Sequence, residues 1–300
     1  MRAIMLNLSQ SFVHLYLQFV QMPANRLDRL SALLEGLAPR VQVNLPPAGI
    51  ARLNFAAEAP PFLHIHLLAE GEMRLHPGSA SLTLQAPCIV VCRSDTAHAL
   101  ETPSAETFQR LMCARAWLDG PVAPLLLNEF AAPLVVPVDG AESSLRHVIN
   151  LISSELEAPR CGQPALLDRA GDILFIGLLR HLIAHPKTAG GLLNGLADPR
   201  IARALVVIHA RPQDKWTLEL LAEEAGMSRT AFANTFREVM RTTPGKYLST
   251  IRLAIAQRAV QSGKGLKAAA RDAGYNSTSA LSRALSHINP SPINLHAPGQ

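Results

Sequence analysis

The 300-residue chain reads as an α+β protein: an N-terminal antiparallel β-barrel with flanking helices, then an all-α C-terminal domain of two helix-turn-helix units joined by a long helix. Three observations predict this. Between residues 41 and about 113, short apolar runs recur, punctuated by Pro, Gly, Ser and Asn. From 217 to 288 the apolar residues fall at helical spacing, and an Ala-Gly pair occurs twice, at 225–226 and 273–274. The charge also divides. Residues 198–300 hold fourteen Lys and Arg against seven Asp and Glu, a net of +7, whereas 1–197 hold fourteen against sixteen, a net of −2. A domain so basic favours a polyanion through counterion release, and its neighbour has no such bias.

Residues 1–24 are apolar but interrupted by His14, Gln18 and Gln21, so no run approaches the ~20 apolar residues of a membrane span. They read as an extension, either a native arm or an early start ahead of Met22. In 25–37, Leu27, Leu30, Leu33, Leu34 and Leu37 share one face of a short helix that ends near Gly36 and Pro39. The strand candidates follow as VQVNL, ARLNF, FLHIHLLAEG, EMRLH, ASLTLQA, CIVVC and TFQRLMCARAW, a spacing that suits an antiparallel barrel or sandwich. Residues 25–140 are assigned to it. Segments 141–156 and 164–185 return to helical spacing. The second carries Leu166, Leu167, Ala170, Ile173, Leu174, Gly177, Leu178, His181 and Leu182 on a stripe broad enough to pack between domains or to self-associate, so 141–186 is read as a dimerisation and packing region. Gly-rich 187–197 reads as a linker whose leucines dock in part.

The stretch 217–241 organises the C-terminal domain, 198–300. Leu218, Leu221, Ala222 and Ala225 form the stripe of a first helix with Thr217 as its N-cap. Gly226 supplies a left-handed break, and Ser228 caps a second helix. Phe232, Phe236 and Val239 or Met240 turn inward. Arg229, Thr230, Ala233, Asn234 and Arg237 turn outward, a face suited to the DNA major groove, with guanidinium for guanine or phosphate and amide for adenine. Arg241 and Lys246 are read as further phosphate contacts. Residues 266–288 repeat the layout, with Leu266, Ala269, Ala270 and Ala273, then Gly274, then Leu281, Leu285 and Ile288 inward and Thr278, Ser279, Ser282 and Arg283 outward. Between them 247–262 is apolar at helical spacing and holds the two units in fixed relation.

Two such units on one helix resemble the DNA-binding domain of the AraC-type bacterial transcription regulators. The resemblance includes the ending INPSPINLH, similar to the family's closing Gly-x-Ser-Pro-x-x-Tyr-Arg: Ser291 and Pro292 match, while Asn289 stands where glycine is usual. Leu281 and Leu285 stand where Phe is usual and Ala269 where Ile is, so the second unit is expected to be the weaker reader. The segment from His64 to Leu100 resembles the cupin domain that one branch of the family carries. That resemblance implies a cytoplasmic, sequence-specific regulator that binds double-stranded operator DNA as a homodimer, with RNA polymerase as a further partner. It also implies a small effector in the barrel pocket, to which His64, His66, Cys92 and His98 are assigned.

No catalytic residue, metal or cofactor is assigned. His64 and His66 point to one side of a strand, and Glu70 or Glu72 with His98 would complete a cupin metal set, but His66 lies only four residues before Glu70, a register that argues for pocket-lining histidines instead. A metal-dependent enzyme fused to a DNA-binding domain remains the alternative from another class. Two more stay open: a regulator that senses oxidants through Cys88 and Cys92, with Cys113 as a further partner, and a barrel that only supports dimerisation.

Overall fold

The computed structural model describes residues 28–47, 50–102, 110–138, 143–187 and 189–286. The N-terminal extension and the INPSPINLH ending lie outside them. The first helix, α1 (Arg29–Leu37), begins where Asp28 accepts hydrogen bonds from Leu30 and Ser31, and it buries Leu33 and Leu37.

Among the described residues nine strands follow: β1 (Pro39–Asn44), β2 (Arg52–Phe55), β3 (Leu63–Leu68), β4 (Glu72–Pro77), β5 (Leu82–Gln85), β6 (Cys88–Arg93), β7 (His98–Glu101), β8 (Leu111–Leu118) and β9 (Leu134–Pro137). They form two antiparallel sheets, one in the order β1-β8-β3-β6-β9 and one in the order β2-β7-β4-β5. Strand β3 is buried along its whole length because it serves two cores. Leu63, Ile65 and Leu67 face a helical layer together with Ile89, Val91, Met112 and Ala114, while His64, His66 and Leu68 face the interior between the sheets. Cys88, Val90 and Cys92 of β6 and Cys113 of β8 share that interior with Met73, Leu75, Leu84 and Leu100 of the smaller sheet.

Two strands and a helix go beyond the sequence reading. After β6 the chain turns at 94–97, and His98 opens β7. The short β9 lies at the edge of its sheet, where its final proline is tolerated. Helix α2 (Ala123–Glu129) packs between the barrel and the helices beyond it.

Helices α3 (Ser143–Glu157) and α4 (Gln163–Ala184) pack on each other, and α4 also lies on β1. Gly171 permits that approach, since a Cβ there would sit 2.9 Å from Val43. The stripe of α4 is as expected except at Ile173, which is 51% exposed, while Phe175, Leu179 and Ile183 are buried as well. Within 187–197 the chain forms α5 (Leu192–Ala197), whose Leu192, Leu193 and Leu196 are buried.

The C-terminal helices are α6 (Pro199–Ala210), α7 (Leu218–Ala225), α8 (Arg229–Met240), α9 (Pro244–Gln261), α10 (Leu266–Asp272) and α11 (Thr278–Ser286). A single apolar core runs from Leu33 of α1 through the helical layer to Tyr247 and Ile251 of α9. Polar ties cross the same boundary: Arg29 donates to the Leu196 carbonyl at 2.8 Å and Arg241 to that of Ala189 at 2.9 Å.

Candidate DNA-binding surface and barrel interior

The first helix-turn-helix unit is α7 and α8. Thr217 accepts from the Leu220 N–H and Ser228 from that of Ala231, so both helices start on a side-chain cap. Gly226 adopts a left-handed φ of 66°, and Met227 N–H closes the turn on the Ala222 carbonyl at 2.9 Å. Phe232 and Phe236 are fully buried, with ring centroids 5.5 Å apart, and Tyr247 stands 5.8 Å from Phe236. Met240 fills the inward position at the end of α8, and Val239 is only half-buried. Arg229, Thr230, Asn234 and Arg237 are exposed and Ala233 is half-buried among them. Arg229 is paired with Glu219 at 3.0 Å, both side chains largely in solvent. Lys246 is exposed, whereas Arg241 turns to the Ala189 carbonyl rather than outward alone.

The second unit, α10 and α11, repeats the turn bond for bond. Gly274 has φ 74°, and Tyr275 N–H bonds the Ala270 carbonyl at 2.8 Å. Here a Cβ would come within 2.7 Å of the Gln213 backbone, so only glycine fits. Ser277, which the sequence reading passed over, accepts from Ala280 N–H as the cap of α11. Thr278, Ser279, Ser282 and Arg283 are exposed. The core differs from that of the first unit: Ala256, Ala259, Ala269, Ala270 and Ala273 surround one fully buried large side chain, Leu281, with Leu285 half-buried beside it. Ile288 lies outside the described residues.

In the barrel interior the sheet registers bring together residues far apart in sequence. His64 faces Cys92 across β3–β6, and His66 faces Cys113 across β3–β8. His98 reaches them from the opposite sheet. Ligand atoms of His64, His66 and His98 all lie within 4.8 Å of one another. Phe55 fills the space beside them, its ring centroid 4.9, 4.8 and 4.8 Å from those of His64, His66 and His98. Burial lowers the pKa of all three: His64 to about 4, His66 well below the ordinary value, and His98 in the same direction against the opposing Thr96 carbonyl. All three are neutral imidazoles at pH 7, the form that binds metals.

The carboxylates of a cupin metal set are elsewhere. Glu70 is ion-paired with Arg110, and Glu72 accepts from Gln85 at 2.6 Å, both outside the interior. Burial pushes the thiol of Cys88 up to about 11 and those of Cys92 and Cys113 up to about 12, away from the thiolate form. Several cavities among the described residues lie at the outer surface of the barrel. One, of about 450 Å³, separates Trp117 and Asp119 of the barrel region from Gln257 and Arg258 of α9. No helix among the described residues is long and apolar enough to cross a membrane.

Comparison with known proteins joins these two regions. A family model described as Cupin matches residues 28–184, and one described as a helix-turn-helix domain matches 221–289. The HTH-type transcriptional regulator AlkR of Acinetobacter baylyi is 31% identical over 58% of this chain and 58% of its own length. An AraC-like transcription regulator of Streptomyces lividans is 30% identical over 74% of this chain and 76% of its own. For the RCS-specific transcriptional activator RclR of Escherichia coli the figures are 28%, 77% and 82%. The chain thus spans a little over half to about four fifths of these relatives. ToxT of Vibrio cholerae covers 83% of this chain and 90% of its own, but at 12% identity and a TM-score of 0.35 it adds no weight. With the cupin match covering over half of its length and the Streptomyces relative aligned along three quarters of it, the chain belongs to the AraC-type family of transcription regulators.

Proposed function

We propose that this chain is a sequence-specific DNA-binding regulator whose two reading helices, α8 and α11, enter successive major-groove segments on one face of the duplex, about 34 Å apart. The observation that carries this is the duplicated turn geometry, which leaves one polar helix face exposed in each unit and fixes both units to the single helix α9. Arg229, Thr230, Ala233, Asn234 and Arg237 form the first reading face, and Thr278, Ser279, Ser282 and Arg283 the second. Asn234 and Arg283 have the chemistry for bidentate contacts with base edges, and Arg237 and Lys246 for phosphates. The N-terminal domain takes a small ligand and shifts the balance between arrangements of the C-terminal domain, which requires unequal ligand affinity in the two states. The continuous core from α1 to α9 supports such coupling.

The protein works in the cytoplasm as a regulator and not as an enzyme. Phe55 packed against the three histidines leaves little room for a substrate beside them, and the carboxylates that would move protons lie outside. Self-association uses the α3–α4 face, where Leu151 and Ile173 are exposed, and RNA polymerase is the further partner.

The test is binding of the full chain to DNA from its own upstream region, with salt titrated and Asn234→Ala and Arg283→Ala alongside. Saturable binding that outcompetes random DNA and weakens in both variants is expected. Sequence-blind binding unchanged in the variants would overturn the assignment.

A further inference from the structure

The loop between α6 and α7, residues 211–216, belongs to the first helix-turn-helix unit and touches the second. It is held from within. Asp214 N–H donates to the Arg211 carbonyl at 3.2 Å, Trp216 N–H to that of Asp214 at 2.8 Å, and Trp216 Nε1 to that of Arg211 at 2.8 Å. The Arg211 guanidinium lies 5.4 Å from the centre of the Trp216 ring and pairs with Asp214 at 3.5 Å. Trp216 itself packs on the shared core.

Arg252 of α9 ties this loop to the long helix. Its Nε donates to the Pro212 carbonyl at 2.8 Å and its Nη2 to the Asp214 carbonyl at 2.6 Å. A planar guanidinium reaches two acceptors at once, which a lysine ammonium on its flexible stem does not reproduce. The residue between those carbonyls is Gln213, and its backbone is what closes on Gly274 at the turn of the second unit. Arg252 is half-buried in the most basic part of the chain, yet it points at protein carbonyls. The first turn also bears on this region, since Arg203 of α6 donates to the Ala225 carbonyl at 2.6 Å.

The consequence concerns angle. Helices α10 and α11 pack on α9 through a cluster of five alanines and Leu281, and side chains of one carbon interlock too shallowly to resist tilting strongly. The Gln213–Gly274 contact gives the unit a second bearing point. Tilt matters for reading DNA: about 15° about the Gly274 turn moves the far end of the nine-residue α11, ~13 Å along, by about 3.4 Å, the step between neighbouring base pairs.

We propose that Arg252 is a positioning residue for DNA recognition: by holding Gln213 against the Gly274 turn it fixes the angle of α11 to α8, and so sets the separation of the two DNA segments that the chain accepts. The proposal rests on the two-helix reading above, because separation has meaning only if both helices read. It assigns Arg252 no contact with DNA.

The experiment uses the full chain and DNA from its own upstream region, with the two footprinted segments left at native separation or moved one base pair apart or together. The wild type is expected to bind the moved sites about 10-fold or more weakly. In a cooperatively melting Arg252→Gln that penalty falls to about 3-fold or less, because the second helix follows its segment. A merely structural role lowers binding at all three separations alike, and an unchanged ratio would overturn the proposal. Arg252→Lys keeps the charge without the fork and should give an intermediate penalty; if the Gln variant does not fold, a wild-type penalty in the Lys variant overturns the proposal instead. Arg258→Gln, on the same helix but facing the barrel region, keeps the wild-type penalty. A wild-type chain that binds all three separations within about 3-fold, yet is weakened by Arg283→Ala, would also overturn the proposal and leave both helices as readers. Insensitivity to separation and to Arg283→Ala together would overturn the two-helix reading, and the proposal with it.

Discussion

The two helix-turn-helix units share a turn and differ in what lies beneath it. Gly226 and Gly274 take nearly the same φ, and the bonds Met227 to Ala222 and Tyr275 to Ala270 are equivalent. Under the first turn lie Phe232, Phe236 and Tyr247, in a core continuous with the helical layer of the barrel. Under the second lie five alanines and Leu281, in a separate cluster. Alike in the face each offers, the units thus differ in their connection. The first is packed into the N-terminal domain, and the second is carried outward on α9. A change in the barrel reaches α8 through direct packing, and reaches α11 along α9 and through the turn at Gly274 packed on Gln213.

The largest effects should separate the two cores. Phe236→Ala removes a fully buried ring from the shared core, and we expect a loss of ~3–5 kcal/mol in unfolding of the whole chain, read by denaturant titration. Leu281→Ala should cost ~2–4 kcal/mol but act locally, with faster hydrogen exchange in α10 and α11 and retained protection in α8. Equal spreading of both losses over the chain would break the distinction.

The turn glycines give a subtler contrast. Both positions strain an L side chain, but at 226 the Cβ would meet only the far end of Arg203 at 3.1 Å, whereas at 274 it meets Gln213 backbone at 2.7 Å. Gly226→Ala should therefore cost about 1 kcal/mol and Gly274→Ala at least about 2 kcal/mol, measured by thermal unfolding.

Of the two helix-turn-helix units, a pH effect should mark the surroundings of the first. His209 of α6 bonds the Tyr247 hydroxyl at 2.7 Å, and burial pushes its pKa down from 6.5 to about 4. The folded chain then holds fewer protons than the unfolded one between about 4 and 6.5, so this stabilisation is present above 6.5 and is lost as pH falls through that window. His209→Gln should flatten the fall by at most one proton, about 1.4 kcal/mol per pH unit, and Leu281→Ala should leave it unchanged. The smallest effect concerns the Arg229–Glu219 pair. Glu219→Gln frees the guanidinium for DNA and should raise affinity by no more than ~3-fold, less at high salt, in a binding titration.

The helical domain was legible because its determinants are local. Thr217, Gly226 and Ser228 each act within four residues, and the spacing of Phe232 and Phe236 needs no partner to be read. The barrel was legible as a class but not in its pairings. Strand β7 is four residues without a β-branched side chain, and β9 is as short and ends in proline, so neither stands out from a loop. The surroundings of His66 were hidden for the same reason: Glu70, four residues on, turns out to Arg110, and the sheets bring in His98 from thirty-two residues away. Ser277 could have been found from sequence, standing three residues after Gly274 just before an apolar-spaced run.

The central claim is that both units read DNA, each through its own helix. Base-resolved footprinting of the full chain on its upstream DNA tests it most directly, with Asn234→Ala and Arg283→Ala compared against wild type. The account predicts two protected segments about 10 base pairs apart, with Asn234→Ala losing base preference in one and Arg283→Ala in the other, each by roughly 1–3 kcal/mol. A single protected segment that responds to Asn234→Ala and ignores Arg283→Ala would contradict it, and would leave α11 as packing rather than a reader.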